Sequence, residues 1–294
     1  MKDVESIFAR YEAVRSRLPK AVRANSTQEI GSLLDAVNDI DAFVFDAFGV
    51  LNVGETPIEG AAERLEALRS EGCKIRILTN AASYDRAGAV QKFENLGMRV
   101  LPDEIVTSRD ATIQHLSDGT WGCIAADADA LSDIGGDACR LTDDPHEYDA
   151  VDGILFLSTA NWNDDQQRIL EQSLKTRPRP VLIANADLVA PRDDGFSLEP
   201  GYFGHALLDG GHRDVRFFGK PFPEVYSMVE ATLSDIPRDR ILMCGDTLHT
   251  DVLGAAARGW MTALITQDGL FAGADTSQYC ERSGIHPTVR LSRI

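Results

Sequence analysis

The sequence predicts an α/β fold built on parallel strands, and three observations support that class. From residue 40 onward, short continuous apolar segments alternate with stretches of helical periodicity, which is typical of buried parallel strands and their crossover helices. Of the 294 residues, 44% are apolar and 26% are charged, which is the composition of a globular chain able to bury a core. No internal repeat or flexible linker interrupts the pattern, so a second domain would have to be inserted into the first.

The first 38 residues predict a helical N-terminal extension. Apolar residues recur at helical spacing from Val4 to Leu18, which predicts an amphipathic helix. Ser26 and Glu29 fit a capping box ahead of further apolar residues, which predicts that a second helix begins near Ser26. We assign this extension a packing role and no chemistry.

Nine later segments are predicted as strands because they are short, apolar and followed by turn or helix signals. They are Ala42–Phe45, Lys74–Leu78, Glu104–Thr107, Gly122–Ala125, Gly153–Leu157, Pro180–Ala184, Val215–Phe218, Ile241–Cys244 and Thr262–Ile265. Helices are expected in most of the gaps between them. Pro57 is expected to open one that ends before Gly72, and Pro223 another, because proline is favoured in the first turn of a helix and glycine just past its end.

Charge and composition exclude several classes of partner. With 46 acidic and 29 basic residues the net charge is −17, which repels nucleic acid and anionic membrane surfaces. No stretch approaches 18 apolar residues, and the N-terminus lacks the apolar segment of a signal peptide. The five cysteines are odd in number and widely spaced, without a C-x-x-C pair, which disfavours a disulfide framework or a zinc site. We therefore expect a cytoplasmic protein that binds neither nucleic acid nor membranes.

Four polar segments follow predicted strands, where open α/β sheets bind their ligands. Asp46 follows the first strand, Thr79 the second, and Lys220 lies between a glycine and a proline after Phe218. Asp246 and Asp251 lie five residues apart in a loop that leads into a helix, and such a pair suits a hard divalent cation. Each segment alone would also suit a turn or a helix start. Together they predict one site.

This quartet resembles the four signature motifs of the haloacid dehalogenase (HAD) superfamily, over about residues 40–270. The stretches LNVGETPIEGA, ILTNAASYDRAG, VTSRDAT, GKPFPEV and GDTLHTDVLGAAARG are similar to the NagD-like class IIA branch, which includes phosphoglycolate and pyridoxal phosphatases. Asp46 and Thr79 are 33 residues apart, too few for an intervening helical cap, whereas 141 residues separate Thr79 from Lys220. The resemblance implies a Rossmann-like core of residues 1–116 and 205–294, with an inserted α/β cap at residues 117–204.

The resemblance also implies a mechanism. Asp46 would be the nucleophile that forms an aspartyl-phosphate, and Lys220 would balance charge and orient it. Mg²⁺ would be held by the side chains of Asp46 and Asp246 and the backbone carbonyl of Phe48, with Asp251 close by or acting through water. The implied activity is hydrolysis of a small phosphorylated metabolite.

Substrate contacts are implied in both parts of the chain. Thr79 and the backbone of Asn80 would hold phosphoryl oxygens. Asn185 and Asp187, with Arg192 in the same loop, occupy the region where class IIA caps offer substrate-contacting residues, although a polar turn is an alternative interpretation. Members of this class commonly associate through their caps, so a homo-oligomer formed through the cap is also expected.

One position departs from the phosphatase pattern. In the class IIA phosphatases that this chain resembles, the first motif reads D-x-D-G-V and its second aspartate is the general acid. This chain has Phe48 at the position of that second aspartate. Loss of positioned acid–base catalysis costs about 10²–10⁴-fold in rate, so hydrolysis of alkyl phosphates is expected to be slow. His249 is a weak candidate for a substitute acid.

Two alternatives to a phosphatase follow from Phe48. Haloacid dehalogenases carry an aromatic residue at this position, but their cap lies between the first two motifs, where this chain has no room. A protein that binds a phosphorylated ligand without hydrolysing it is the other alternative, although it would not need the nucleophile Asp46. The remaining prominent side chains, Trp162, Tyr202, Trp260 and the thiol of Cys244, are predicted to be packing residues.

Overall fold

The computed structural model describes residues 3–21, 26–192 and 195–294, and it confirms the predicted α/β class. The strands of this part of the chain are β1 (Gln28–Glu29), β2 (Ala42–Phe45), β3 (Asn52–Val53), β4 (Thr56–Pro57), β5 (Lys74–Thr79), β6 (Ile105–Thr107), β7 (Thr120–Ile124), β8 (Asp137–Arg140), β9 (Gly153–Phe156), β10 (Val181–Ile183), β11 (Val189–Arg192), β12 (Gly195–Leu198), β13 (Val215–Phe217), β14 (Ile241–Gly245), β15 (Met261–Ile265) and β16 (Val289–Leu291). Its α-helices are α1 (Val4–Ala13), α2 (Ala61–Ser70), α3 (Arg86–Asn95), α4 (Ser108–Ile113), α5 (Pro145–Ala150), α6 (Asp164–Thr176), α7 (Pro200–Asp209), α8 (Pro223–Thr232), α9 (Leu253–Ala257) and α10 (Thr276–Ser283).

The larger sheet has seven parallel strands in the order β1-β16-β15-β14-β2-β5-β6. From β2 the chain proceeds outward through β5 and β6, and it later returns on the other side of β2 with β14. A crevice forms at the carboxyl ends of the strands where the order reverses in this way. Phe45 of β2 lies opposite Cys244 of β14, so the residues that follow these two strands lie side by side at that crevice.

The smaller sheet has five parallel strands in the order β13-β10-β9-β7-β8, all drawn from residues 120–217, which we call the insert. The insert includes β13, because Val215 pairs with Val181 of β10. The cap boundary predicted at residue 204 therefore falls inside α7, and the smaller sheet continues beyond it. The division of the chain into a core and an inserted cap stays a prediction.

Two helix starts predicted from sequence are wrong. Gln28 and Glu29 form β1, which pairs with β16 at the edge of the larger sheet, so the helix expected near Ser26 does not form. The capping box lies instead at Ser32, where it opens a single 3₁₀ turn at Leu33–Ala36. Pro57 belongs to the short antiparallel pair β3–β4, and α2 begins only at Ala61. Residues 22–25 of the predicted N-terminal extension lie outside the described residues.

Helix α1 packs against both parts of the molecule. Ile7, Phe8 and Tyr11 share one buried cluster with Leu188 of the insert and Phe271 from the chain after β15. The packing role predicted for α1 is confirmed, and the contacts add that this helix bridges the insert to the unit that carries the larger sheet. Within the described residues, no helix is both long and apolar enough to span a membrane.

Candidate active site

The site is centred on a buried lysine between two carboxylates. Lys220 follows β13, and its Nζ lies 2.6 Å from Oδ1 of Asp46 and 2.8 Å from Oδ1 of Asp251. The Lys220 side chain is fully buried. Burial alone would lower the pKa of Lys220, but the carboxylates of Asp251 and Asp46 outweigh that effect and raise it above the ordinary value. Lys220 therefore remains a cation that holds Asp46 in place.

Asn80 fixes the backbone that carries this lysine. The Lys220 N–H donates to Oδ1 of Asn80 at 2.7 Å, and Nδ2 of Asn80 donates to the Lys220 carbonyl at 3.0 Å. The same Nδ2 donates to Oδ1 of Asp187 in the insert at 2.8 Å. The side chain of Asn80 thus links the end of β5 to the segment that carries Lys220 and to the insert. The backbone of Asn80 remains the candidate for contact with a phosphoryl group.

Three buried carboxylates form a candidate metal centre. Asp46, Asp246 and Asp251 each offer an oxygen, and these oxygens lie within 4.8 Å of one another. Oδ2 of Asp246 accepts from the Leu270 N–H at 2.7 Å. Gly49 has φ +75°, and a Cβ there would lie 2.5 Å from Oδ2 of Asp246, so the close approach of the two loops requires glycine.

The charge of this cluster favours a bound cation. Burial raises the pKa of Asp246 and of Asp251 above the ordinary carboxyl value, and the nearby Asp46 carboxylate raises both further. Three carboxyl groups share one lysine, Lys220, so their ionised forms repel one another and a cation bound among them would relieve that repulsion. Carboxylate oxygens are the donors that Mg²⁺ prefers, and these residues therefore fit the predicted ion.

A cavity of about 780 Å³ opens above these groups, between the larger sheet and the insert. Asp46, Thr79 and Asp246 line it, whereas Lys220 and Asp251 lie behind them, fully buried. Thr79 Oγ1 accepts from the Ala81 N–H at 3.1 Å, which leaves the hydroxyl hydrogen for a ligand oxygen. The structure thus brings the four predicted segments together at one end of the sheet.

The predicted insert residues Asn185 and Asp187 also line this cavity. Asn185 accepts from the Asp187 N–H and donates to Glu199, so both ends of its amide are already bonded within the insert. Burial raises the pKa of Asp187 well above the ordinary value, and its contact across the cavity is with Asn80. A role for either residue in substrate binding stays a prediction.

Phe48 presents its ring to the cavity, and two cationic side chains lie against this ring. Lys92 Nζ of α3 lies 4.0 Å from the ring centroid, and the guanidinium carbon of Arg192 in β11 lies 5.2 Å from it. Arg192 also donates to Glu199 at 3.1 Å and to Ser197 at 2.9 Å. Lys92 is 8% exposed, and burial lowers its pKa to about 8.

The sequence interpretation missed Lys92 and Tyr11, and both line the cavity. Lys92 falls on the buried helical face marked by Ala89 and Phe93, so a lysine at an apolar position was the available signal. Tyr11 fits an ordinary apolar stripe, and nothing in its spacing distinguishes it from a core residue. Its Oη accepts from the Leu188 N–H of the insert at 3.2 Å.

His249 is directed away from the cavity. Its Nε2 lies 2.6 Å from Glu12 Oε1, and its ring stacks on Tyr11 at 4.8 Å between centroids. It is not among the residues that line the cavity, so the geometry does not favour it as a substitute acid. Cys244 is buried in β14 and Trp260 packs edge-on against Tyr226, as predicted.

Comparison with known proteins agrees with this geometry. Residues 43–130 match the haloacid dehalogenase-like hydrolase family, and residues 217–289 match a second HAD-hydrolase-like family. Together the two segments cover more than half of the chain and contain the four polar segments of the site. The chain therefore belongs to the HAD superfamily of hydrolases.

Its relatives support the NagD-like class IIA branch more narrowly. A chloroplastic phosphoglycolate phosphatase of Arabidopsis thaliana is 27% identical over 268 residues, covering 83% of this chain and 73% of the relative. A possible sugar phosphatase from Cytophaga hutchinsonii shares the fold with a TM-score of 0.80 at 24% identity, covering 90% of this chain and 98% of that one. A glycerol phosphate phosphatase from Mycobacterium tuberculosis, solved with magnesium, has a TM-score of 0.67 at 21% identity, covering 86% and 75%.

Proposed function

We propose that the protein is a Mg²⁺-dependent phosphatase that acts on a small phosphorylated metabolite through an aspartyl-phosphate on Asp46. The observation that carries this proposal is the arrangement of Lys220, which holds Asp46 beside Asp246 and Asp251 at the floor of a cavity. Relatives named as phosphatases of small phosphate esters support the same class of reaction.

The reaction has two steps. First, an oxygen of Asp46 bonds to phosphorus and the bond to the leaving oxygen breaks, which transfers the phosphoryl group to the carboxylate. Water then adds to phosphorus and the bond to Asp46 breaks, so phosphate is released and the carboxylate regenerated. Thr79 and the Asn80 backbone hold phosphoryl oxygens, and Lys220 keeps Asp46 aimed into the cavity.

The metal would be held by Asp46, Asp246 and the Phe48 carbonyl, with Asp251 beside them. When bound, Mg²⁺ supplies positive charge that reduces repulsion between the Asp46 carboxylate and the phosphoryl oxygens. The insert would act as a class IIA cap, because its residues form the wall of the cavity opposite Asp46 and Thr79. Association of two copies through this cap stays a prediction.

The test is phosphate release from p-nitrophenyl phosphate with and without Mg²⁺. Its nitrophenolate departs without a proton, so the assay does not need a general acid at position 48. We expect turnover that requires the metal and is abolished in Asp46→Asn, because the amide is a poor nucleophile. Acid-quenched enzyme should carry one phosphoryl group on the peptide that contains Asp46.

Asp39→Asn is the matched control, since Asp39 is exposed and lies on the same segment before β2. This variant should keep full turnover. Activity that persists in Asp46→Asn would overturn the aspartyl-phosphate mechanism. A folded protein that binds Mg²⁺ and p-nitrophenyl phosphate but releases nothing would instead favour the ligand-binding alternative.

A further inference from the structure

Two cationic side chains of the cavity lie beside Phe48, the residue at whose position similar phosphatases have a general acid. Among the described residues that line it, Lys92 and Arg192 are the only lysine and arginine, and both lie against the Phe48 ring. Lys92 Nζ lies 4.0 Å and the guanidinium carbon of Arg192 lies 5.2 Å from the centroid of this ring, so the two positive charges are close to each other. This clustering stands out in a chain with a net charge of −17.

Lys92 lacks a close counterion. Within the described parts of the chain, no acceptor lies within hydrogen-bond distance of its ammonium group. The nearest carboxylate is that of Glu55, at 3.9 Å, and the Glu55 side chain is 83% exposed. The ammonium group therefore lines the cavity with only this exposed carboxylate beside it, and it is placed to meet an anion that arrives with the ligand.

Arg192 approaches the same ring from the insert. Glu199 and Ser197 hold its Nη2 and Nε, which fixes the guanidinium beside Phe48. Lys92 comes from α3 and Arg192 from β11, so the pair forms only when the insert lies over the larger sheet. An anion bound between them would contact both parts of the molecule.

The direction of the reaction brings the leaving group into this region. In-line displacement at phosphorus puts the leaving oxygen on the side opposite the Asp46 nucleophile, which is the open side of the cavity. Phe48 follows Asp46 by two residues and lines the same cavity, and its ring has no proton to give. A leaving oxygen there meets two cations and an aromatic ring.

We propose that the enzyme acts on phosphoryl groups attached to an acidic oxygen, as in acyl phosphates and phosphoanhydrides, and that Lys92 and Arg192 bind the departing anion. This inference rests on the proposed function and specifies its substrate class. In the first step the P–O bond breaks and the leaving group departs as a carboxylate or phosphate, with both electrons of that bond and no added proton. In the second step both hydrogens of the attacking water go to the released phosphate.

The experiment compares leaving groups on the full chain with Mg²⁺. Acetyl phosphate and inorganic pyrophosphate represent the two sources of an acidic leaving group, p-nitrophenyl phosphate is the activated reference, and glycerol phosphate represents alkyl esters. We expect kcat/KM for acetyl phosphate, pyrophosphate or both to exceed that for glycerol phosphate by about 10²-fold or more, the range associated with a missing general acid. Which of the two is preferred identifies the leaving anion.

Variants test the two cations. Lys92→Met and Arg192→Met should each lower kcat/KM for the preferred acidic substrate by about tenfold or more, as loss of one cation beside a developing anion would. Lys92→Arg, which keeps the charge, should retain most of the activity. Lys92→Met should still fold, because methionine keeps the apolar part of a side chain that makes no hydrogen bond within the described residues. Lys175→Met, at an exposed lysine of α6, is the matched control and should change nothing.

The outcomes separate this inference from the proposed function. If p-nitrophenyl phosphate is hydrolysed in an Asp46-dependent manner but glycerol phosphate matches the acidic substrates, the inference is overturned and the phosphatase proposal stands. Asp187 would then become the candidate acid. Lys92→Met and Arg192→Met variants with unchanged kcat/KM would also overturn it. If no substrate is hydrolysed, the proposed function itself fails.

Discussion

At the scale of single residues, Phe48 is the side chain on which the proposed substrate class depends. Its ring lines the cavity beside Asp46 but offers no titratable group. We expect Phe48→Asp to raise kcat/KM for glycerol phosphate, because a carboxyl group there could protonate the leaving alkoxide. The gain should be about 10²-fold, at the low end for general acid catalysis, since Lys92 and Arg192 would favour the ionised form of the new group.

Phe48→Asn is the control for this substitution. It has nearly the shape of aspartate but no proton to transfer, and the backbone carbonyl expected to bind Mg²⁺ is the same in both. Steady-state kinetics on glycerol phosphate should therefore separate the two variants, with Phe48→Asn no faster than the unmodified chain. Equal rates for Phe48→Asp and Phe48→Asn would mean that residue 48 does not face the leaving group.

At the scale of elements, the strands that carry the site were predictable and the elements that complete the cavity were not. All nine predicted strands exist, because continuous buried apolar segments such as β2 and β14 produce a strong local signal. The strand pair β11–β12 was missed, since Pro191 and Arg192 break the apolar pattern and the pair depends on packing against α1.

The same distinction applies to the site residues. Asp46 and Asp246 directly follow apolar strands and Thr79 ends one, so their meeting at one sheet edge could be anticipated. Lys92 and Tyr11 lie on helices and reach the cavity only through tertiary packing, which no local pattern encodes. Motif spacing therefore predicts the residues proposed to be catalytic, whereas the proposed surroundings of the leaving group required the structure.

Helix α7 carries a buried histidine that predicts acid sensitivity. The His205 ring is 1% exposed and stacks on Phe217, with Arg17 Nη1 3.4 Å from its Nδ1. Burial, with help from Arg17, lowers the pKa of His205 from 6.5 to about 3. Between these values the unfolded chain binds a proton that the folded chain does not, so stability falls as pH drops below about 6.5.

We expect this residue to contribute about 2 kcal/mol to the loss of folding free energy between pH 7.5 and pH 5. Urea unfolding of His205→Asn, which keeps an acceptor near Arg17, should show a loss smaller by about that amount. His146→Asn, at an exposed histidine of α5, should lose as much as the unmodified chain. Identical pH dependence in all three proteins would show that His205 does not couple protonation to folding.

At the scale of the whole molecule, α1 connects the insert to the unit that carries the larger sheet. Tyr11 accepts from Leu188 of the insert, while Glu12 lies 2.6 Å from His249 of the opposite unit. Arg10 and Arg17 both pair with Asp209 at the end of α7. Exposed ion pairs contribute little, about 0–1 kcal/mol each, so the apolar cluster around Phe8 is expected to dominate this connection.

Phe8→Ala should therefore loosen the insert more than the rest of the molecule. Truncating a buried phenylalanine costs about 3–5 kcal/mol, which should undock α1 and withdraw Tyr11 from the cavity wall. We expect faster amide hydrogen exchange in α1 and at Leu188 and Val189, unchanged exchange in β2 and β14, and a lower kcat/KM. Phe93→Ala, a similar truncation in α3 on the core side, should speed exchange across the larger sheet instead. If both variants gave the same exchange pattern, α1, the insert and the larger sheet would unfold as one cooperative unit, and α1 would not hold the insert independently.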